Sequence, residues 1–94
     1  MENLNTIKIL EKLISFPTVS RDANLGLIEY VAKIIKCEKV KPVIIKNNEN
    51  TKANLFASIG PENPDGVMLS GHTDVVPIDG QNWTKPPFEC TYEN

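Results

Sequence analysis

The sequence predicts an α/β fold in the order helix, helix, strand, strand, strand, followed by a long irregular loop. Two observations carry this reading. Apolar residues recur with helical spacing in two segments before residue 38 and then shift to short β-branched and alternating runs. Dense turn chemistry separates those runs, and no helical period returns before Asn94. A chain of 94 residues makes at most one small domain with a thin core. Two helices can cover one face of such a sheet, which leaves the other face bare. The expectation is therefore an incomplete portion of a larger α/β domain, with residues 1–94 all in that one portion.

Residues 5–16, NTIKILEKLISF, read as the first helix. Asn5 or Thr6 caps it, and Ile7, Leu10, Leu13 and Ile14 fall on one face. Pro17 lacks an amide donor and biases Phe16 away from helical dihedrals, so the helix stops there. The loop PTVSRDAN carries three candidate caps, Ser20, Asp22 and Asn24. A second helix runs from about Leu25 to Cys37, with Ile28, Val31, Ala32 and Ile35 at amphipathic spacing. Gly26 costs about 1 kcal/mol relative to Ala in a helix interior and is tolerable in a first turn. Both apolar stripes read as core-packing faces.

Val43, Ile44 and Ile45 form a β-branched run, and Pro42 suits a strand start or an edge strand. The polar segment NNENTK connects it to ANLFASIG. In that second strand Leu55, Ala57 and Ile59 share one face. PENPDG, residues 61–66, is a turn. VMLSG is apolar on both faces over three residues, as a central, doubly covered strand would be. The tail PIDGQNWTKPPFECTYEN is rich in turn formers and has little period. Its Trp83, Pro86, Pro87 and Phe88 read as a packed loop or as a wall of a substrate cleft. Asp79 faces solvent or a substrate amine.

Charge and cysteine usage narrow the function classes. The net charge is -2 and the pI is near 5.3, with scattered lysines and no basic stripe. That pattern argues against a nucleic-acid partner. No apolar stretch approaches the roughly 20 residues that span a bilayer, so no membrane role is expected. The N-terminus lacks the basic start and apolar run of a signal peptide, which makes the cytoplasm the default compartment. Cys37 and Cys90 form no CxxC pattern. They read as reduced thiols, one buried and one in a loop.

The chain's single histidine, His72, lies in LSGHTDVVP, just past the expected third strand. Open α/β sheets place their ligands at such strand ends. In an extended segment residues i and i+2 point the same way, so His72 and Asp74 face one cavity. A neutral imidazole is a standard zinc ligand, and a carboxylate at Asp74 has the reach to hold its second nitrogen. Gly71 lets the backbone turn close by. Spacing alone also fits an ordinary turn in which the two side chains bond each other. A catalytic zinc needs three protein ligands, and one histidine with no cysteine pair does not supply them.

The segment VMLSGHTDVVPIDGQNWTKPPF resembles the first metal-ligand segment of the M20 family of zinc amidohydrolases and peptidases. Within that family it looks closer to the acetylornithine deacetylases than to the succinyl-diaminopimelate desuccinylases. FPTVSRDANLGLIEYVAKII and KANLFASIGP match the same pattern in order and spacing. The resemblance implies that residues 1–94 are the N-terminal part of a zinc-aminopeptidase-like catalytic domain. It matches His72 to a zinc ligand, and Asp74 to the active-site carboxylate that orients it. It implies two zincs per site, with cobalt a substitute, and a small N-acyl amino acid as substrate. It also implies hydrolysis of N-acetylornithine in arginine biosynthesis and a homodimer formed through a separate domain. The family's bridging aspartate, paired glutamates and remaining ligands are expected beyond Asn94, so residues 1–94 alone are expected to be inactive. A dipeptidase, carboxypeptidase or desuccinylase on the same fold is the alternative, and a non-catalytic truncated product is another.

Overall fold

The computed structural model describes residues 5–63 and 65–93. It contains helices α1 (Thr6–Ser15) and α2 (Leu25–Ile35) and strands β1 (Val43–Lys46) and β2 (Ala53–Phe56). The α/β class is as expected, small and incomplete.

Helix α1 starts where the sequence places it. Asn5 is extended, and its side chain accepts the Lys8 N–H at 2.9 Å, satisfying one of the free donors of the first turn. Before Pro17, Phe16 turns extended and ends the helix. Of the expected stripe only Leu13 packs against the core, joined by Phe16 from outside it. Ile7 and Leu10 stay half exposed because no described element lies over them.

Helix α2 buries Leu27 and Ile28 against Ala53 of β2, with Leu13, Phe16, Leu25, Val31 and Leu55 around them. The Phe16 and Tyr30 rings meet at 5.7 Å. Asn24 stands at the N-cap, but its side chain makes no cap bond and turns to Ala53 instead. The helix ends at Ile35, two residues earlier than expected. Lys36 is extended, and Cys37 and Val40 then exchange backbone bonds in a tight turn.

β1 and β2 pair antiparallel, with Val43 opposite Phe56 and Lys46 opposite Ala53. The connection is organised by Asn47, whose Oδ1 accepts the N–H groups of both Thr51 and Lys52. Asn50 adopts φ 56°, a left-handed conformation that asparagine tolerates better than most residues. β2 turns Ala53 and Leu55 inward, and it ends at Phe56 rather than running to Gly60.

The third strand is not formed. Residues 67–71 lie outside any ladder, and Val67, Met68 and Leu69 are 90%, 75% and 93% exposed. A strand needs a neighbour for its N–H and C=O groups, and none lies beside this run among the described residues. Apolar composition alone therefore did not make it a covered strand. The turn expected over 61–66 includes residue 64, which lies outside the described residues. Cys37 and Cys90 are both free, as expected, but neither is buried: Cys37 is exposed and Cys90 half-buried. No helix among the described residues is long and apolar enough to cross a membrane.

Candidate metal-ligating pair

The segment that follows residues 67–71 is positioned by the loop after α1. Val19 and Val75 form an isolated parallel bridge. The Val75 N–H donates to the Thr18 carbonyl and the Ser20 N–H donates to the Val75 carbonyl, both at 3.0 Å. Thr18, itself buried, adds a bond from its Oγ to the Thr73 carbonyl at 2.7 Å. Residues 73–75 are thus docked by backbone and side chain on 18–20.

His72 and Asp74 meet as the i, i+2 spacing requires. His72 Nδ1 lies 2.8 Å from Asp74 Oδ1 and 3.1 Å from the Asp74 carbonyl oxygen. Both neighbours are acceptors, so Nδ1 carries the proton in the neutral ring. This tautomer follows from the hydrogen-bond network. The lone pair then sits on Nε2, the nitrogen a metal would take.

The second carboxylate oxygen is also held. Ser20 Oγ donates to Asp74 Oδ2 at 2.9 Å. The Asp74 carboxyl is kept below its ordinary value of 3.8, first by this serine and next by His72. Both are hydrogen bonds to the charged form, which favour it. The pair is open to solvent, with side-chain exposures of 82% for His72 and 57% for Asp74.

Two grooves flank the pair. Leu13, Phe16, Val76, Trp83 and Phe88 line an apolar one of about 400 Å³ that reaches His72 and Thr73. Trp83 and Phe88 of the tail line the same groove as His72. The other groove is more polar and is lined by Ser20, Asn24, Lys52, His72 and Asp74. Asp79 is not brought to His72. It pairs with Arg21, whose Nη2 lies 3.2 Å from each of its oxygens, in an exposed contact of the kind worth about 0–1 kcal/mol.

Among the described residues no three histidine, cysteine, aspartate or glutamate side chains gather where they could hold a metal ion. His72 with Asp74 fits one ligand and its orienting carboxylate, and a complete ligand set requires further donors. Ser20 and Thr18 were missed as members of this site. Their only signal was the match of FPTVS to the family pattern, which sets no contact with a segment more than 50 residues away.

The chain is similar to curated proteins over nearly its whole length. It is 40% identical over 95 residues to the acetylornithine deacetylase of Buchnera aphidicola subsp. Schizaphis graminum, covering 94% of this chain and 24% of that protein. It is 37% identical to the acetylornithine deacetylase of Shigella sonnei, over 90% of this chain and 24% of that protein. A third relative, from Buchnera aphidicola subsp. Acyrthosiphon pisum, is 30% identical over 94% of this chain and 24% of its own length. The chain thus spans about a quarter of the length of the curated relatives it matches. No family model matches it. No solved structure matches it either. The likeness to the M20 family read from residues 67–88 is borne out. The relatives named here are acetylornithine deacetylases, the group the sequence resembles within that family.

Proposed function

We propose that residues 1–94 form part of the catalytic domain of a metal-dependent amidohydrolase. It cleaves the N-acyl amide of a small amino acid, taking N-acetylornithine to ornithine and acetate in the cytoplasm. The observation that carries this reading is His72, with Nδ1 held 2.8 Å from Asp74 and Nε2 left to a metal. Likeness to proteins named acetylornithine deacetylase supports the substrate. The family resemblance also favours zinc as the metal and a homodimer as the assembly.

His72 would hold a zinc through Nε2, and the chemistry such a metal would supply is polarisation of the amide carbonyl and a bound water with its pKa lowered to about 7. The residues of this chain supply orientation. Asp74 fixes the tautomer of His72 and, as a charged acceptor, raises the basicity of its ring. The docked loop 18–20 holds both in place. Trp83 and Phe88 line the apolar groove that reaches His72.

The test is His72→Ala in the holoenzyme. Metal content per chain should fall and turnover should be nearly abolished. Full metal occupancy with only a few-fold loss of turnover would remove His72 from the ligand set.

A further inference from the structure

We propose that Ser20 is a positioning residue for the His72–Asp74 pair, acting through the second carboxylate oxygen of Asp74. The inference rests on the reading of His72 as a metal ligand. Asp74 has two oxygens and both are engaged: Oδ1 faces His72 Nδ1 at 2.8 Å, and Oδ2 accepts from Ser20 Oγ at 2.9 Å. A carboxylate bonded at one oxygen still turns about its side-chain torsion. Bonded at both, it presents Oδ1 to the imidazole in one orientation.

The anchor for that hydroxyl is itself fixed. The Ser20 N–H donates to the Val75 carbonyl, and the Val75 N–H donates to the Thr18 carbonyl, so the backbone on either side of Val19 is clamped to Val75. The Ser20 side chain starts from this clamped backbone, 54 residues from its partner in sequence. Ser20 Oγ also lies 3.2 Å from the Val75 carbonyl. A hydroxyl has one proton, and the nearer, charged acceptor takes it. That carbonyl already receives the Ser20 amide.

Docking and positioning are therefore carried by different atoms of one residue. The backbone of Ser20 docks the loop and its hydroxyl orients Asp74. Ser20→Ala removes the second role and leaves the first. Ser20→Thr keeps the hydroxyl at the same place, the first turn residue after the Val19 bridge.

The experiment reads the ring tautomer of His72 by 15N-resolved NMR of the 94-residue chain. It is run at about pH 8. The parent and Ser20→Thr should show His72 mainly protonated on Nδ1. Ser20→Ala should lower the ratio of Nδ1–H to Nε2–H forms severalfold. The cross-relaxation between Val19 and Val75 that reports the bridge should be retained in all three.

An unchanged tautomer in Ser20→Ala would overturn the proposal. So would an Nε2–H parent, because Asp74 would then not be holding the ring. If Ser20→Ala also loses the Val19–Val75 contact, the serine is a docking residue and the proposal is overturned on that ground. None of these readouts uses metal or turnover. A failure of the hydrolase reading would show in the holoenzyme assay instead.

Discussion

Asn24 and Ala53, 29 residues apart, are joined by two hydrogen bonds through one side chain. Asn24 Nδ2 donates to the Ala53 carbonyl at 3.1 Å, and its Oδ1 accepts the Ala53 N–H at 2.8 Å. An amide side chain here stands in for the backbone of an adjacent strand. The Asn24 N–H also donates to the Thr51 carbonyl at 3.1 Å. The start of α2 is thereby tied to the start of β2 at the centre of the core.

Asn24→Ala should destabilise the chain by about 1–3 kcal/mol, because it strands the polar backbone groups of a buried residue. Asn24→Asp keeps an acceptor for the Ala53 N–H but loses the donor, and should cost less. Urea denaturation of the three proteins measures the order. Equal stability of parent and Asn24→Ala would mean that water replaces the clamp without loss.

The stability of the docked loop should fall in acid. The folded state holds the Asp74 carboxyl below its ordinary 3.8, chiefly through Ser20. The unfolded state then binds the proton more readily. Its stabilising contribution is complete above about pH 3.8 and is lost as pH falls through the lower folded value. The Val19–Val75 contact, followed by NMR, should persist through the upper part of that window and weaken below it. Ser20→Ala should move the loss to higher pH. An identical acid profile in both proteins would contradict the carboxylate–serine bond.

Residues 1–94 alone should bind zinc weakly and show no measurable deacylase turnover. A catalytic zinc takes about three protein ligands, and the described residues bring together one imidazole and its carboxylate. Calorimetric titration with zinc, and an N-acetylornithine assay with a related deacetylase as control, measure both. Tight stoichiometric binding with real turnover would show that this segment carries the chemistry by itself.

Leu69→Lys should raise solubility at little cost in stability. Val67, Met68 and Leu69 are exposed and contiguous, and such a run drives association. Light scattering across concentration should show less association in the variant, with an unchanged denaturation midpoint. A large drop in midpoint would mean that Leu69 is packed in solution.

Much of the local structure was legible in the sequence because it depends on near neighbours. Asn5 caps α1 through a bond three residues away, and Pro17 ends the helix at the residue before it. His72 and Asp74, two residues apart in sequence, reach each other directly. Tertiary structure alone decided what depends on a distant partner. Asn24, which reads as a helix cap, gives its side chain to β2. Ser20, which reads as another cap, gives its hydroxyl to Asp74. An apolar run such as 67–69 has the composition of a central strand, yet a strand exists only where a second backbone meets its N–H and C=O groups. No described backbone does so here, and that pairing is a property of chain packing that local composition does not encode.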